Sequence, residues 1–216
     1  RQNVGCSLKN KVRSGYRKMR LIGVTGGVGA GKSSVLDYLH KEYGAVIVQL
    51  DDVSRAMLAT DGPCYYSTIE IFGLSVVRED RSLDRAAIAE IVFSDPVMME
   101  KLNALVHPAV RRETERIISQ CREEGVKILV LEAALLIEQH YDEICDELWY
   151  IYAGADTRMK RLAESRGYSK DRIEGTMAKQ LSDEEFRAKA TFVLDNDGDF
   201  EYTKTQIDRH FEEVLR

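Results

Sequence analysis

The stretch Gly26-Gly27-Val28-Gly29-Ala30-Gly31-Lys32-Ser33 has the spacing G-x-x-x-x-G-K-S, a pattern that cradles phosphates. Glycines let the main chain approach a phosphate closely, and successive N–H groups can then curl around it as an anion nest. A helix starting near Lys32 adds unpaired N–H groups and the positive end of its dipole. Lys32 can place a point charge on the terminal phosphates of a nucleoside triphosphate, and Ser33 can offer a hydroxyl to Mg²⁺. The plain alternative is a glycine-rich turn beside an exposed lysine. A dinucleotide-binding G-x-G-x-x-G fails, because counting from Gly27 and Gly29 the last position is Lys32.

Other chemistry-bearing residues sit where strands should end. Asp51 and Asp52 follow the apolar run 45–50. A carboxylate there can take a proton from an acceptor hydroxyl or orient it, or it can cap the helix that follows. Arg55 can clamp an anionic substrate or cover the helix surface. Glu132 closes the run 127–132, the position from which a carboxylate reaches Mg²⁺ through water; otherwise it is a polar strand end. Arg158, Arg161 and Arg166 fall in a positive segment of an acidic chain. Such arginines either stabilise charge on a transferring phosphoryl group or are simply solvated. His107 precedes Pro108, with a structural role as its default, whereas His40, His140 and His210 read as helix-surface residues.

These groups need a scaffold. Leu21 to Thr25 reads as a buried strand before the loop, and Val35, Leu36 and Leu39 mark one face of the helix after it. Further strands are expected at 45–50, 127–132, 147–152 and 191–194, with helices between them. Continuous apolar strands alternating with helices indicate a parallel sheet covered on both faces, with ligands at the strands' carboxyl ends. Residues 55–107 and 154–190 interrupt the alternation with helical pattern. In the first, Asp84 is placed to cap a helix through Ile88, Ile91 and Val92. Pro108 is expected to open another, through Val110, Ile117 and Ile118 to Gly125.

The 216 residues suffice for one α/β unit with insertions. A net charge of −5 argues against a general nucleic-acid binder. Cys6, Cys64, Cys121 and Cys145 form no C-x-x-C pair and read as reduced thiols. No apolar run approaches the ~18 residues of a membrane span, so a cytoplasmic protein is expected, without membrane or nucleic-acid partners. Residues 1–18 carry Arg1, Lys9, Lys11, Arg13, Arg17 and Lys18 and no acid. They are read as an N-terminal extension, with an organellar transit peptide as the alternative.

The chain resembles the dephospho-CoA kinases from about Met19 to its C-terminus. The loop, with Thr25 before it, is close to the family's T-G-G-I-G-S-G-K-S, and Gln49 to Arg55 aligns with D-A-D-x-x-A-R. Ile71-Phe72-Gly73, Leu83-Asp84-Arg85 and Val92-Phe93 match the acceptor-domain spacing. His107-Pro108-Ala109-Val110-Arg111 matches H-P-x-x-R, and Leu135-Leu136-Ile137-Glu138 matches L-L-x-E. Arg161-Leu162 and Arg166-Gly167 resemble the lid, Gln180 follows at the expected distance, and Asn196-Asp197-Gly198 resembles the final N-x-G turn.

The resemblance implies an α/β P-loop kinase fold: a five-stranded parallel sheet in the order 2-3-1-4-5 with helices on both faces, a helical acceptor domain and a helical lid. The implied division is core at 19–54, 108–153 and 191–216, acceptor domain at 55–107 and lid at 154–190. The implied reaction is ATP- and Mg²⁺-dependent phosphorylation of the ribose 3′-hydroxyl of dephospho-CoA, the last step of coenzyme A synthesis. Asp51, Lys32 and Arg161 carry over as catalytic residues. ATP falls to Gly26, Gly27, Val28, Gly29, Ala30, Gly31, Lys32, Ser33 and Ser34 with Arg166 and Asn196. The acceptor falls to Asp51, Arg55, His107 and Arg111, and the metal to Ser33 and Glu132. Three positions depart from the family pattern. Gln49 replaces its first aspartate, leaving Asp51 with Asp52 beside it; Glu132 replaces an aspartate and Ala134 a proline.

Two rivals differ in class. Another small-metabolite or nucleoside-monophosphate kinase would share loop and lid but not the pattern over 83–111. A GTP-operated switch would carry N-K-x-D, which the chain lacks.

Overall fold

A computed structural model of the chain describes residues 18–214. Five strands, β1 (Arg20–Thr25), β2 (Val46–Gln49), β3 (Ile128–Glu132), β4 (Glu147–Tyr152) and β5 (Phe192–Asp195), form one sheet in the order β2-β3-β1-β4-β5. The pairs β1–β3, β1–β4 and β4–β5 are parallel, with Val24 opposite Glu132 and Thr25 opposite Tyr150. The expected sheet order therefore holds, with strand ends moved by a residue or so: Leu50 belongs to the next helix and Asp195 to β5.

The chain divides into two compact units. One comprises the described residues up to 48 and from 122 onward, the other 49–121. In the first, α1 (Lys32–Tyr43) follows the glycine loop and α9 (Phe200–Val214) follows β5. Val35 and Leu39 from α1, Ile22, Val24, Val130, Trp149 and Ile151 from the sheet, and Ile207 and Phe211 from α9 make one core. Each such side chain contributes about 1.5–3 kcal/mol when fully buried. Gly44 ends α1 in a left-handed conformation (φ 66°), its N–H bonding the Leu39 and His40 carbonyls, as a helix-terminating glycine should. Between β4 and β5 lie α6 (Ala155–Arg166), α7 (Lys170–Met177) and α8 (Asp183–Lys189). Ser182 and Glu185 form a reciprocal capping box at the start of α8.

The second unit holds α2 (Leu50–Met57), α3 (Tyr65–Phe72), α4 (Arg85–Ser94) and most of α5 (Pro96–Glu123). Its core is Tyr65, Phe72, Val76, Leu83 and Ile88. Asp84 caps α4 as expected, accepting from the N–H groups of Ala86 and Ala87.

Pro108 does not open a helix. It lies inside the 28-residue α5. The proline that occupies a first helical turn is Pro96, behind Asp95, whose carboxylate accepts from Val97 N–H at 2.9 Å and Met98 N–H at 3.3 Å. A proline inside a helix costs roughly 3 kcal/mol. Pro108 itself is exposed, while Val106, Ala109 and Val110 beside it are buried, and that burial outweighs the one lost N–H.

Two histidines also depart from the helix-surface reading. His140 stands in a turn with φ 56°. His210 is largely buried, stacked on Phe192 with ring centroids 4.2 Å apart, and bonded through Nε2 to Glu147 at 2.7 Å. Glu147 also accepts from Arg20 Nε at 2.9 Å and from Trp149 Nε1 at 2.8 Å. Burial alone would push this carboxyl up. The bonds from His210 and Trp149, the His210 charge and the Arg20 bond outweigh it and hold the group at about 2.

Among the described residues, Cys64, Cys121 and Cys145 form no disulfide. No helix among the described residues is long and apolar enough to cross a membrane. The basic segment 1–17, with Cys6, lies outside the described residues.

Candidate active site

The glycine loop connects β1 to α1 at the carboxyl end of the sheet. Its glycines are required where the main chain turns or is touched. At Gly26, φ is 150° and a Cβ would stand 2.6 Å from the Ile151 carbonyl oxygen; at Gly31, φ is 86° and a Cβ would collide with Asn196 Nδ2. A side chain at either place meets both strain and collision. Within the loop, Ala30 N–H bonds Gly27 O at 3.1 Å, and Ser34 N–H bonds Gly31 O at 3.1 Å.

Lys32 is the first residue of α1. Its ammonium folds back over the loop and donates to Gly26 O at 2.8 Å. Glu132 Oε1 is 3.7 Å away, and both side chains are mostly buried. The register explains the pairing: β3 lies beside β1, so Glu132 ends its strand next to the point where the loop leaves β1. Ser33 and Ser34 are exposed on the first turn of α1, where the leading N–H groups of a helix have no partners within it. A serine hydroxyl and a carboxylate are hard oxygen donors of the kind that share Mg²⁺ with phosphates and water. No cluster of three or more His, Cys, Asp or Glu that could hold a metal by itself occurs among the described residues.

Asn196 is buried directly after β5. Its Nδ2 donates to Ala30 O at 2.7 Å, and its Oδ1 accepts from Thr203 Oγ1 at 2.9 Å. Arg161 Nη1 reaches the same Ala30 oxygen from 3.5 Å. Arg166, at the end of α6, instead lies over the Tyr168 ring, 5.9 Å from its centroid. Arg158 makes the firmer contact with the loop. Its Nε donates to Val28 O at 3.0 Å, and its Nη2 donates to Gln180 Oε1 at 3.2 Å. Burial lowers the pKa of this guanidinium. By sequence, Arg158 is only one of three arginines in the positive segment. The signal that finds it is Gly27, where a Cβ would collide with the Arg158 guanidinium.

The remaining candidates belong to the second unit. Asp51 and Asp52 are in the first turn of α2, and neither is its cap; that position is Gln49. Both are exposed, at the helix end that favours negative charge. Arg55 Nη1 donates to Asp52 Oδ1 at 2.6 Å across one turn. His107 is exposed on α5, and Arg111 Nε donates to Glu115 Oε1 at 2.9 Å.

The model of the dephospho-CoA kinase family matches residues 20–201. The chain belongs to that family. It is 38% identical to the dephospho-CoA kinase of Symbiobacterium thermophilum over 190 residues, covering 88% of this chain and 79% of the relative. With the Moorella thermoacetica dephospho-CoA kinase it shares 35% identity over 199 residues, 92% of this chain and 93% of the relative. Among solved structures, TT1252 from Thermus thermophilus superposes with a TM-score of 0.78 at 30% identity, covering 92% of this chain and 99% of that one. The shikimate kinase of Acinetobacter baumannii shares the fold alone, with a TM-score of 0.52 at 12% identity, covering 94% of this chain and 99% of that one. Membership makes the chain a phosphotransferase that acts on dephospho-CoA.

Proposed function

We propose that the chain transfers the γ-phosphoryl group of ATP to the ribose 3′-hydroxyl of dephospho-CoA, giving CoA and ADP and completing coenzyme A synthesis. The family match over 20–201 supports the acceptor. The geometry that supports the chemistry is the Lys32 ammonium, held between Gly26 O and Glu132 over a glycine loop.

In this reading, residues 26–34 cradle the triphosphate through those main-chain amides that the loop and Gln180 do not already engage, and Lys32 exchanges its contact with Gly26 for the terminal phosphates. Ser33 and Glu132 would hold Mg²⁺. That ion neutralises the charge that builds on the phosphate oxygens. Asp51 takes the proton of the 3′-hydroxyl as its oxygen bonds to phosphorus and the bond to the ADP oxygen breaks. Asp51 is favoured over Asp52 because the Asp52 carboxylate already serves Arg55. Arg161 approaches the loop from α6 and is assigned to the charge of the phosphoryl group in flight. Arg166 and Asn196 serve the nucleotide, and Arg55, His107 and Arg111 the acceptor.

A substrate panel of dephospho-CoA, AMP, CMP, gluconate and shikimate, read by product mass with Mg·ATP present, tests the acceptor. Phosphorylation of dephospho-CoA alone is expected. Turnover confined to a nucleoside monophosphate overturns the assignment. Lys32→Met should lower turnover by about 10²–10³ in the same assay.

A further inference from the structure

Val28 has both of its main-chain polar groups taken by side chains. Its N–H donates to Gln180 Oε1 at 3.0 Å, and its carbonyl accepts from Arg158 Nε at 3.0 Å. Arg158 Nη2 donates to that same Gln180 oxygen at 3.2 Å. The three bonds close a ring around one residue of the loop. An amide oxygen has two lone pairs and can serve two donors. The guanidinium offers its donors in a rigid fork, which suits it to bridge two oxygens.

The arrangement is built into the surrounding chain. Arg158 is on α6, and Gln180 comes after α7, so two separate points of the 154–190 segment close on one loop residue. The fork lies over Gly27, in the space a side chain there would fill. Around Val28, Gly27 O accepts from Ala30 N–H, Gly26 O accepts from Lys32, and Ala30 O accepts from Asn196. The direction of the Val28 main chain therefore bears on how the amides from Gly29 to Ser33 converge.

We propose that Arg158 and Gln180 act as one positioning unit for ATP: by holding both polar groups of Val28 they fix the loop in its phosphate-binding shape. This rests on the loop being the ATP cradle and is independent of the acceptor's identity. A neutral amide and an arginine facing a main-chain carbonyl act here through geometry, so a charge at position 158 is not by itself sufficient.

The test is calorimetric titration of Mg·ATP, with KM for each substrate, on the full chain and on Arg158→Ala, Gln180→Leu, Arg158→Lys and the Arg158→Ala/Gln180→Leu double variant. Melting temperatures are recorded alongside. Each single truncation should weaken ATP binding roughly tenfold, and the double variant should lose no more than the worse single, as for residues acting as a unit. Arg158→Lys should stay weak, and KM for dephospho-CoA should hold within about twofold. Additive losses, full rescue by lysine or unchanged ATP affinity would each overturn the proposal. So would equal rises in both KM values together with a fall in melting temperature. If the unaltered chain binds no Mg·ATP, the reading of the loop itself fails; if it binds ATP but ignores dephospho-CoA, only the acceptor assignment fails.

Discussion

Asn196 Nδ2 donates to the Ala30 carbonyl at 2.7 Å, so a residue from the end of β5 closes a loop that begins 170 positions earlier, at Gly26. The amide is buried, and its other end is held by Thr203. Asn196→Ala should therefore act on both stability and binding. The change removes two hydrogen bonds, although Thr203 Oγ1 keeps its bond to Asp195 O at 3.0 Å and Ala30 O keeps Arg161 at 3.5 Å. Each loss therefore costs about 0.5–1.5 kcal/mol, and ATP affinity should fall roughly tenfold, a factor worth about 1.4 kcal/mol. Thermal unfolding and nucleotide titration of the same preparation read the two effects separately. Unchanged values in both would show that the bond is incidental.

Asp51 and Asp52 are neighbours with different surroundings. If Asp51 is the general base, Asp51→Asn lowers turnover by about 10²–10⁴ while ATP affinity stays close to that of the unaltered chain. Asp52→Asn loses a solvent-exposed pair with Arg55, of a kind worth at most about 1 kcal/mol, and should retain most of its turnover. The reverse ranking would move the base by one residue.

Glu147 makes stability depend on acidity. Its pKa falls from 4.5 to about 2 in the folded chain, so the folded state binds fewer protons here than the unfolded one. The resulting stabilisation is complete above about 4.5 and is lost as pH falls from 4.5 towards 2. It amounts to about 3 kcal/mol at neutral pH, because each tenfold change in proton affinity is worth about 1.4 kcal/mol. Denaturant unfolding of the unaltered chain and of Glu147→Gln, measured from pH 6 to pH 2, should show the advantage of the former shrinking across that window. Parallel curves would remove Glu147 as the cause.

What is legible in the sequence is what local rules determine. The loop follows from glycine's steric freedom and the sheet from runs of apolar residues. Asp84 follows from the need of a helix start for an acceptor. Sequence and structure part where distant packing decides. Pro108 looks like a helix opener until the burial of Val106, Ala109 and Val110 is known, while the true local start signal is Asp95-Pro96. His210 reads as surface because nothing in its own helix announces Glu147, Trp149 and Phe192. In the site, Lys32 and Glu132 are each marked by their place on an element, but their pairing needs the β1–β3 register. Arg158 and Arg166 are alike as residue types, and both lie on α6. Only the fold turns one toward Val28 and leaves the other beside Tyr168.

Tyr38 and Tyr43, on the helix that leaves the phosphate loop, both donate to the Asp208 carboxylate of α9. Thr203, from the same helix, steadies Asn196. A polypeptide emerging from the ribosome thus displays its glycine motif before α9 exists, and the Asn196 anchor on Ala30 gains its Thr203 support only when that helix is made. Premature stop codons before that helix should therefore yield chains that carry the motif with weakened affinity for nucleotide.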